Sequence, residues 1–223
     1  MKSSENRNYN VWDYLWYALY AFAGLGLEIV LLSFVEPMFL GKASEYDIMQ
    51  KVIHWILTII CWAVITVWLM KSSQKKLDYN IMNMNNNKVS IKGLTVSLIL
   101  IIACILLNVY DWGTLKIFGE FSKKGIVEFF FQYLYYIFEV GLVFLIVVFG
   151  QKFIESLIKR ESSIPFGGII LCCTWGAIHI LSQGSVVTGL GVMAFALMYG
   201  MMYLVLNRNT KLSYLAMLLA FII

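Results

Sequence analysis

Charge is scarce in this sequence. Asp, Glu, Lys and Arg make up 13% of its 223 residues, against roughly 25% in an ordinary soluble domain. With 61% of residues hydrophobic, that shortage excludes a soluble globular protein and points to a polytopic membrane protein. Proline and histidine are nearly missing, at two residues each. So few histidines, and no CxxC spacing, leave no material for a zinc site, which takes three or four ligands in near-tetrahedral array. No metal and no cofactor are therefore expected. The four cysteines, Cys61, Cys104, Cys172 and Cys173, all fall inside apolar runs, where they act as small hydrophobes rather than as a disulfide framework.

What the sequence does have is long apolar runs. At about 20 residues per crossing, spans are expected near residues 12–35, 52–70, 93–110, 127–149, 166–182 and 186–206, with a short seventh at 212–223. The expected fold class is all-α: one polytopic helical bundle of about seven transmembrane helices, with residues 1–223 as a single membrane domain. The first run lacks a small-residue cleavage site and reads as a retained span rather than a signal peptide. Of the 17 Lys and Arg residues, 12 fall in the tail and the loops after spans two, four and six, and 5 on the other side. Basic residues stay inside, so the N-terminus and the 71–92 loop are expected in the cytoplasm. The net charge of +4 is spread over loops and bears on orientation, not on a nucleic-acid partner. The lipid bilayer is the expected partner, and heavy Ile, Lys and Asn usage is compatible with a bacterial cytoplasmic membrane.

Three local patterns carry expectations of their own. The asparagine-rich stretch at 80–88 reads as biased composition in a loop. QKFIESLIKR, 151–160, sets Phe153, Ile154, Leu157 and Ile158 on one helical face and charges on the other, the pattern of an interfacial connector helix. In the sixth span, Gly189, Ala196 and Gly200 form a stripe without bulk, which favours close helix approach. Met193, Met198, Met201 and Met202 beside it suit either packing or a tolerant peptide-binding groove.

Four titratable residues lie within spans or near their edges: Glu28, His54, Glu139 and His179. A charge at mid-bilayer costs about 3 kcal/mol on insertion scales, so such residues face the bundle interior and find partners. His54 stands close to a span end, where solvent is expected to hydrate it. Glu139 and His179 lie 11 and 13 residues from the two ends of the same connector, about 17 and 20 Å deep at 1.5 Å per residue. Helices four and five are thus expected to bring a carboxylate and an imidazole to one depth. Such a pair can share a proton, bind a cation, activate water, or simply fix helix register.

Beyond these residue-level readings, the order of features resembles the CPBP family, the CAAX-protease and bacteriocin-processing (Abi) intramembrane proteases, over roughly residues 130–223. That family carries EExxxR, then FxxxH, then HxxxN or HxxxD. Trp175 and His179 resemble the second motif, with tryptophan for phenylalanine. Glu139 stands alone at the first, with Val140 and Phe144 where a second glutamate and the arginine would fall. At the last, Ala220 stands where the final histidine belongs.

The resemblance implies a helical membrane scaffold in which Glu139 and His179 are the catalytic pair if activity remains. It also implies a substrate groove that includes Trp175, with Glu28, Gly189 and Gly200 as further candidate substrate-binding residues. Without the oxyanion partners, whose individual loss costs 10²- to 10³-fold, the expectation is a non-catalytic CPBP-like protein. Its implied roles are peptide binding, bacteriocin immunity, or peptide processing and export, with a peptide or another membrane protein as partner. Two alternatives stand beside it: a diverged endopeptidase using Glu139 and His179, and a proton- or cation-coupled transport component using Glu28, Glu139 and His179.

Overall fold

A computed structural model describes residues 10–223, so Lys2 and Arg7, counted above for orientation, lie outside the described residues. The described residues form a bundle of eight helices: α1 (Trp12–Val30), α2 (Ile48–Leu77), α3 (Ile91–Trp112), α4 (Lys116–Lys123), α5 (Ile126–Leu157), α6 (Phe166–Gln183), α7 (Val186–Val205) and α8 (Thr210–Ile222). No strand occurs among the described residues. Six of the segments are long and apolar enough to cross a membrane, which makes this an all-α polytopic membrane protein. The seventh expected span is α8, whose 13 residues cover about 20 Å at 1.5 Å per residue, less than a hydrocarbon core of about 30 Å.

Helix ends follow local chemistry. Asp47 opens α2 with a capping box, its carboxylate accepting from the Gln50 amide while Gln50 accepts from the Asp47 amide, both at 2.8 Å. Each contact satisfies one of the orphan donors that begin any helix. Ser90, Ser185 and Asn209 cap α3, α7 and α8 in the same sense. Gly113 closes α3 with φ 70°, a left-handed conformation that glycine adopts without cost.

The 32-residue helix α5 is the axis of the bundle. From Leu142 to Gly150 every residue is buried, because α1, α2, α6 and α8 all pack on it. A helix apolar all round has no exposed face to orient it, and α5 owes its position to being surrounded. The chain 151–160 is not a separate interfacial helix. Residues 151–157 continue α5, with Gln151, Phe153 and Glu155 buried, because Glu155 has its own donors: Arg208 Nη2 at 2.6 Å, Gln151 Nε2 at 2.9 Å and the Ser162 amide at 3.0 Å.

Between α5, α6 and α7 the backbones meet at glycines. A Cβ on Gly167 would collide with the Val147 carbonyl, and one on Gly200 would stand 2.7 Å from Gly168 Cα. Gly200 and Gly189, considered above as substrate-binding residues, are therefore helix-contact residues: Gly189 lies against Ile180 just as Gly200 lies against Gly168. Small residues at such positions are what let membrane helices approach. Met193 and Met198 belong to the same packing, Met193 against Gly176 and Met198 against Cys104.

Two features depart from the sequence reading at the loops. The stretch after Asn80 forms a short 3-10 helix, Ile81–Asn86, docked on the α7–α8 turn. Asn209 Nδ2 donates to the carbonyls of Asn85 and Asn87 at 2.9 and 3.0 Å, and Asn87 and Asn207 exchange amide bonds with the backbone across the same seam. These asparagines are a latch rather than compositional bias. At the opposite end, α4 folds back into the bundle with Lys116 and Glu120 buried. Lys116 Nζ donates to the Phe221 carbonyl at 3.0 Å, and the Tyr136 hydroxyl donates to Glu120 at 2.7 Å.

Candidate functional site

Helices α1 and α6 face one another across a cavity of about 540 Å³ whose floor is α5. From α1 come Glu28 and the aliphatic Ile29, with Leu32 from the turn just beyond it; from α5, Tyr135 and Glu139; from α6, Trp175, Ile178, His179, Ser182 and Gln183. Ser182 and Gln183 are exposed at the end of α6, so the cavity opens at the end of the bundle away from the asparagine latch. Glu28, Glu139, Trp175 and His179, four of the six residues singled out in the sequence as site residues, thus share one lining. The other two, Gly189 and Gly200, do not.

Glu139 and His179 share the cavity without bonding to each other. Among the described residues no hydrogen bond or ion pair joins them. His179 is instead turned by its own helix: Nδ1 lies 2.6 Å from the Trp175 carbonyl one turn back. A carbonyl only accepts, so Nδ1 carries the hydrogen and the neutral ring keeps its lone pair on Nε2. Trp175 meets the imidazole edge-on, with centroids 5.0 Å apart, and is itself stacked against Tyr199.

Each flanking wall is locally under-wound by a π turn beside its ionisable residue. On α6 the turn covers Cys172–Gly176, three residues before His179. Beyond α1 it covers Leu31–Val35, three residues after Glu28, and passes into a 3-10 turn at Glu36–Met38. A π turn inserts one residue into the helical register and re-aims the side chains beyond it, and such turns recur at functional sites.

One polar cluster beside the cavity was not expected. His54, read above as hydrated by solvent, is buried at 7% exposure between two carboxylates. Its Nδ1 lies 2.9 Å from Glu36 Oε1 and its Nε2 lies 3.3 Å from Glu28 Oε1. Ionised carboxylates only accept, so with both ionised the ring donates from both nitrogens and is an imidazolium. The remaining oxygens are also used: Tyr135 donates to Glu28 Oε2 at 2.8 Å and Tyr46 to Glu36 Oε2 at 3.0 Å. Burial pushes the Tyr46 phenol above its ordinary range, and its bond to Glu36 adds to the shift. A continuous chain, Tyr46, Glu36, His54, Glu28, Tyr135, therefore runs from the α1–α2 connection to the cavity. The signal was present in the sequence: Glu36 and His54 flank one short connection, and counting depth across it, as for Glu139 and His179, brings them level.

No group of three or more His, Cys, Asp or Glu side chains suited to a metal ion occurs among the described residues. Chemically the cavity offers two carboxylates, one imidazole nitrogen with a free lone pair, a serine hydroxyl and a glutamine amide, set among aliphatic and aromatic walls. No family model, no curated protein and no solved structure matches this chain.

Proposed function

We propose that this protein is a CPBP-like membrane protein of the bacterial cytoplasmic membrane that binds an apolar peptide segment in the α1–α6 cavity without cleaving it, in the service of bacteriocin immunity or of peptide processing and export. The N-terminus and the asparagine latch face the cytoplasm, and the cavity opens toward the outer side. One observation carries the reading: a cavity with aliphatic walls at Ile29, Leu32 and Ile178 holds Glu28, Glu139 and His179 within its lining. Apolar walls with a few convergent polar groups are the usual make-up of a ligand pocket. The absence of hydrolysis rests on the chemistry at the position facing the pair. Hydrolysis needs donors aimed at a developing oxyanion, and the nearest α1 group is Glu28, a carboxylate held by His54 and Tyr135.

The test uses purified protein in lipid nanodiscs with synthetic apolar peptides of about 20 residues, each carrying one lysine. Binding is expected to shift Trp175 fluorescence and to be lost in Ile29→Trp, which fills the cavity without touching the polar groups. Intact peptide is expected after prolonged incubation. Equal binding by wild type and Ile29→Trp would remove the cavity from the account.

A second reading, a diverged endopeptidase, is favoured by one observation: His179 Nε2 is unpaired in the same cavity as Glu139. It requires cleavage that disappears in both Glu139→Gln and His179→Ala, whereas immunity requires protection of a sensitive cell that survives both substitutions.

A further inference from the structure

The latch end of the bundle holds a second cavity, of about 310 Å³, where the end of α5 meets the α7–α8 turn. Four cations line it: Lys152, Lys159, Arg160 and Arg208. Two carboxylates line it as well, but both are committed. Glu155 Oε1 accepts from three donors including Arg208 Nη2 at 2.6 Å, and Glu161 lies 3.3 Å from Arg208 Nη1. Lys152, Lys159 and Arg160 have no ion pair among the described residues. The lining thus carries an excess of positive charge that no carboxylate of the fold neutralises.

Its floor holds buried donors in excess of good acceptors. Tyr79 and Tyr203, both buried, are hydrogen-bonded to each other and lie 3.6 and 3.5 Å from one thioether, Met84 Sδ. One phenol accepts from the other, and the remaining proton is left to a thioether, which accepts only weakly. Arg208 Nε is buried with no hydrogen-bond acceptor. A buried donor without a partner calls for an explanation, and an anion in this cavity would supply one. The rim is built from backbone that side-chain-bearing residues seldom adopt: Lys159 has φ 54° and Arg208 φ 57°. Such strain gathers at ligand clamps.

Leu157 and Ile158 stand in the chain between the cavity-lining Ser156 and Lys159 and, like Ile164 shortly after Glu161, are exposed, which supplies an apolar shelf at the basic end of α5. We propose that this cavity binds the phosphate-bearing headgroup of an anionic phospholipid, with the acyl chains lying along that shelf. Basic pockets at the cytoplasmic ends of membrane helices suit anionic headgroups, since that leaflet carries the negative surface potential. The shelf favours a lipid over free phosphate, which has no apolar part to bury. The site is separate from the α1–α6 cavity, and its assignment to the cytoplasmic leaflet rests on the orientation proposed above.

The test is a titration of the purified full chain in detergent with dioctanoyl phosphatidylglycerol, dioctanoyl phosphatidylcholine and inorganic phosphate. Phosphatidylglycerol is expected to bind about a hundredfold tighter than phosphatidylcholine, with affinity falling as salt rises. Each cation removed is expected to cost about fivefold, so Lys152→Gln, Lys159→Asn and Arg160→Gln combined should bring phosphatidylglycerol to the level of phosphatidylcholine. Asparagine at 159 keeps the left-handed backbone accessible, which makes Lys159→Asn alone the fallback if the triple variant does not fold. Tyr203→Phe is expected to weaken phosphatidylglycerol while keeping the buried ring. Equal affinity for the two lipids, or a triple variant that binds phosphatidylglycerol as wild type does, overturns the site. Inorganic phosphate binding as tightly as phosphatidylglycerol overturns the lipid assignment.

Discussion

His54 Nδ1 stands 2.9 Å from Oε1 of Glu36, a carboxylate with no solvent exposure, and this contact fastens the irregular end of α1 to α2. Because Glu28 holds the other ring nitrogen, the imidazole, with both carboxylates ionised, is the single cation between two acids. Removing it leaves both acids facing the same void, and breaking a buried pair from one side costs about 3 to 5 kcal/mol. His54→Ala is therefore expected to lower the unfolding midpoint in detergent by about 10 °C. The double variant His54→Phe, Glu36→Leu should recover much of the loss, since it removes the fully buried acid and leaves Glu28, which is partly exposed and keeps its Tyr135 donor. A double variant as unstable as the single one would show that the contact is not an ion pair.

Tyr46 gives the same cluster a pH signature. Its phenol is pushed up from 10.0 by burial and by Glu36, so its folded-state value lies above its unfolded one. The stability it contributes is therefore complete below pH 10 and is lost as pH rises through the folded value. The difference in unfolding midpoint between wild type and Tyr46→Phe is expected to stay constant from about pH 6 to 9 and to shrink only above about pH 10.

The glycine contacts make a paired prediction. A methyl group at Gly200 would stand 2.7 Å from Gly168 Cα, which is backbone and cannot rotate away. Gly200→Ala is expected to cost about 1 to 3 kcal/mol through overpacking. At Gly191, on the same helix, a Cβ meets nothing within 4 Å. Gly191→Ala is expected to be neutral or to gain up to about 1 kcal/mol from helix propensity. Thermal unfolding of the two variants side by side separates contact from propensity.

The hydrogen bond from His179 to Trp175 fixes a tautomer. Nitrogen-15 spectra of selectively labelled protein should show the neutral ring of His179 protonated at Nδ1. His179→Gln should leave the helix folded yet abolish any function that uses Nε2 as a base. Spectra showing Nε2 protonated would reverse the orientation of the lone pair and remove His179 as a base toward the cavity.

Composition and run length were enough to establish that the chain is helical and crosses a membrane, because the hydrocarbon core admits few other structures to a 61% hydrophobic chain. Counting residues from a shared connector also placed Glu139 and His179 at one depth, since rise per residue is a constant of the helix. Rotation about the helix axis is not fixed by such counting. The π turn at Cys172–Gly176 shifts the register just ahead of His179, and the Trp175 carbonyl then claims Nδ1. Whether the acid and the base touch was therefore a matter for tertiary structure.

The same division explains the residues that were missed. His54 looked solvated because its depth is small, but the 3-10 turn at Glu36–Met38 folds Glu36 over it and closes the site. Asn85 and Asn87 looked like biased composition because the partner they share, the Asn209 side-chain amide, lies 120 or so residues away in the chain. By itself the sequence determined the solvent, the helices and the depth at which each ionisable group sits. Tertiary structure alone decided which of those groups face one another, because facing depends on helix rotation and on long-range hydrogen bonds, and neither leaves a period in the sequence.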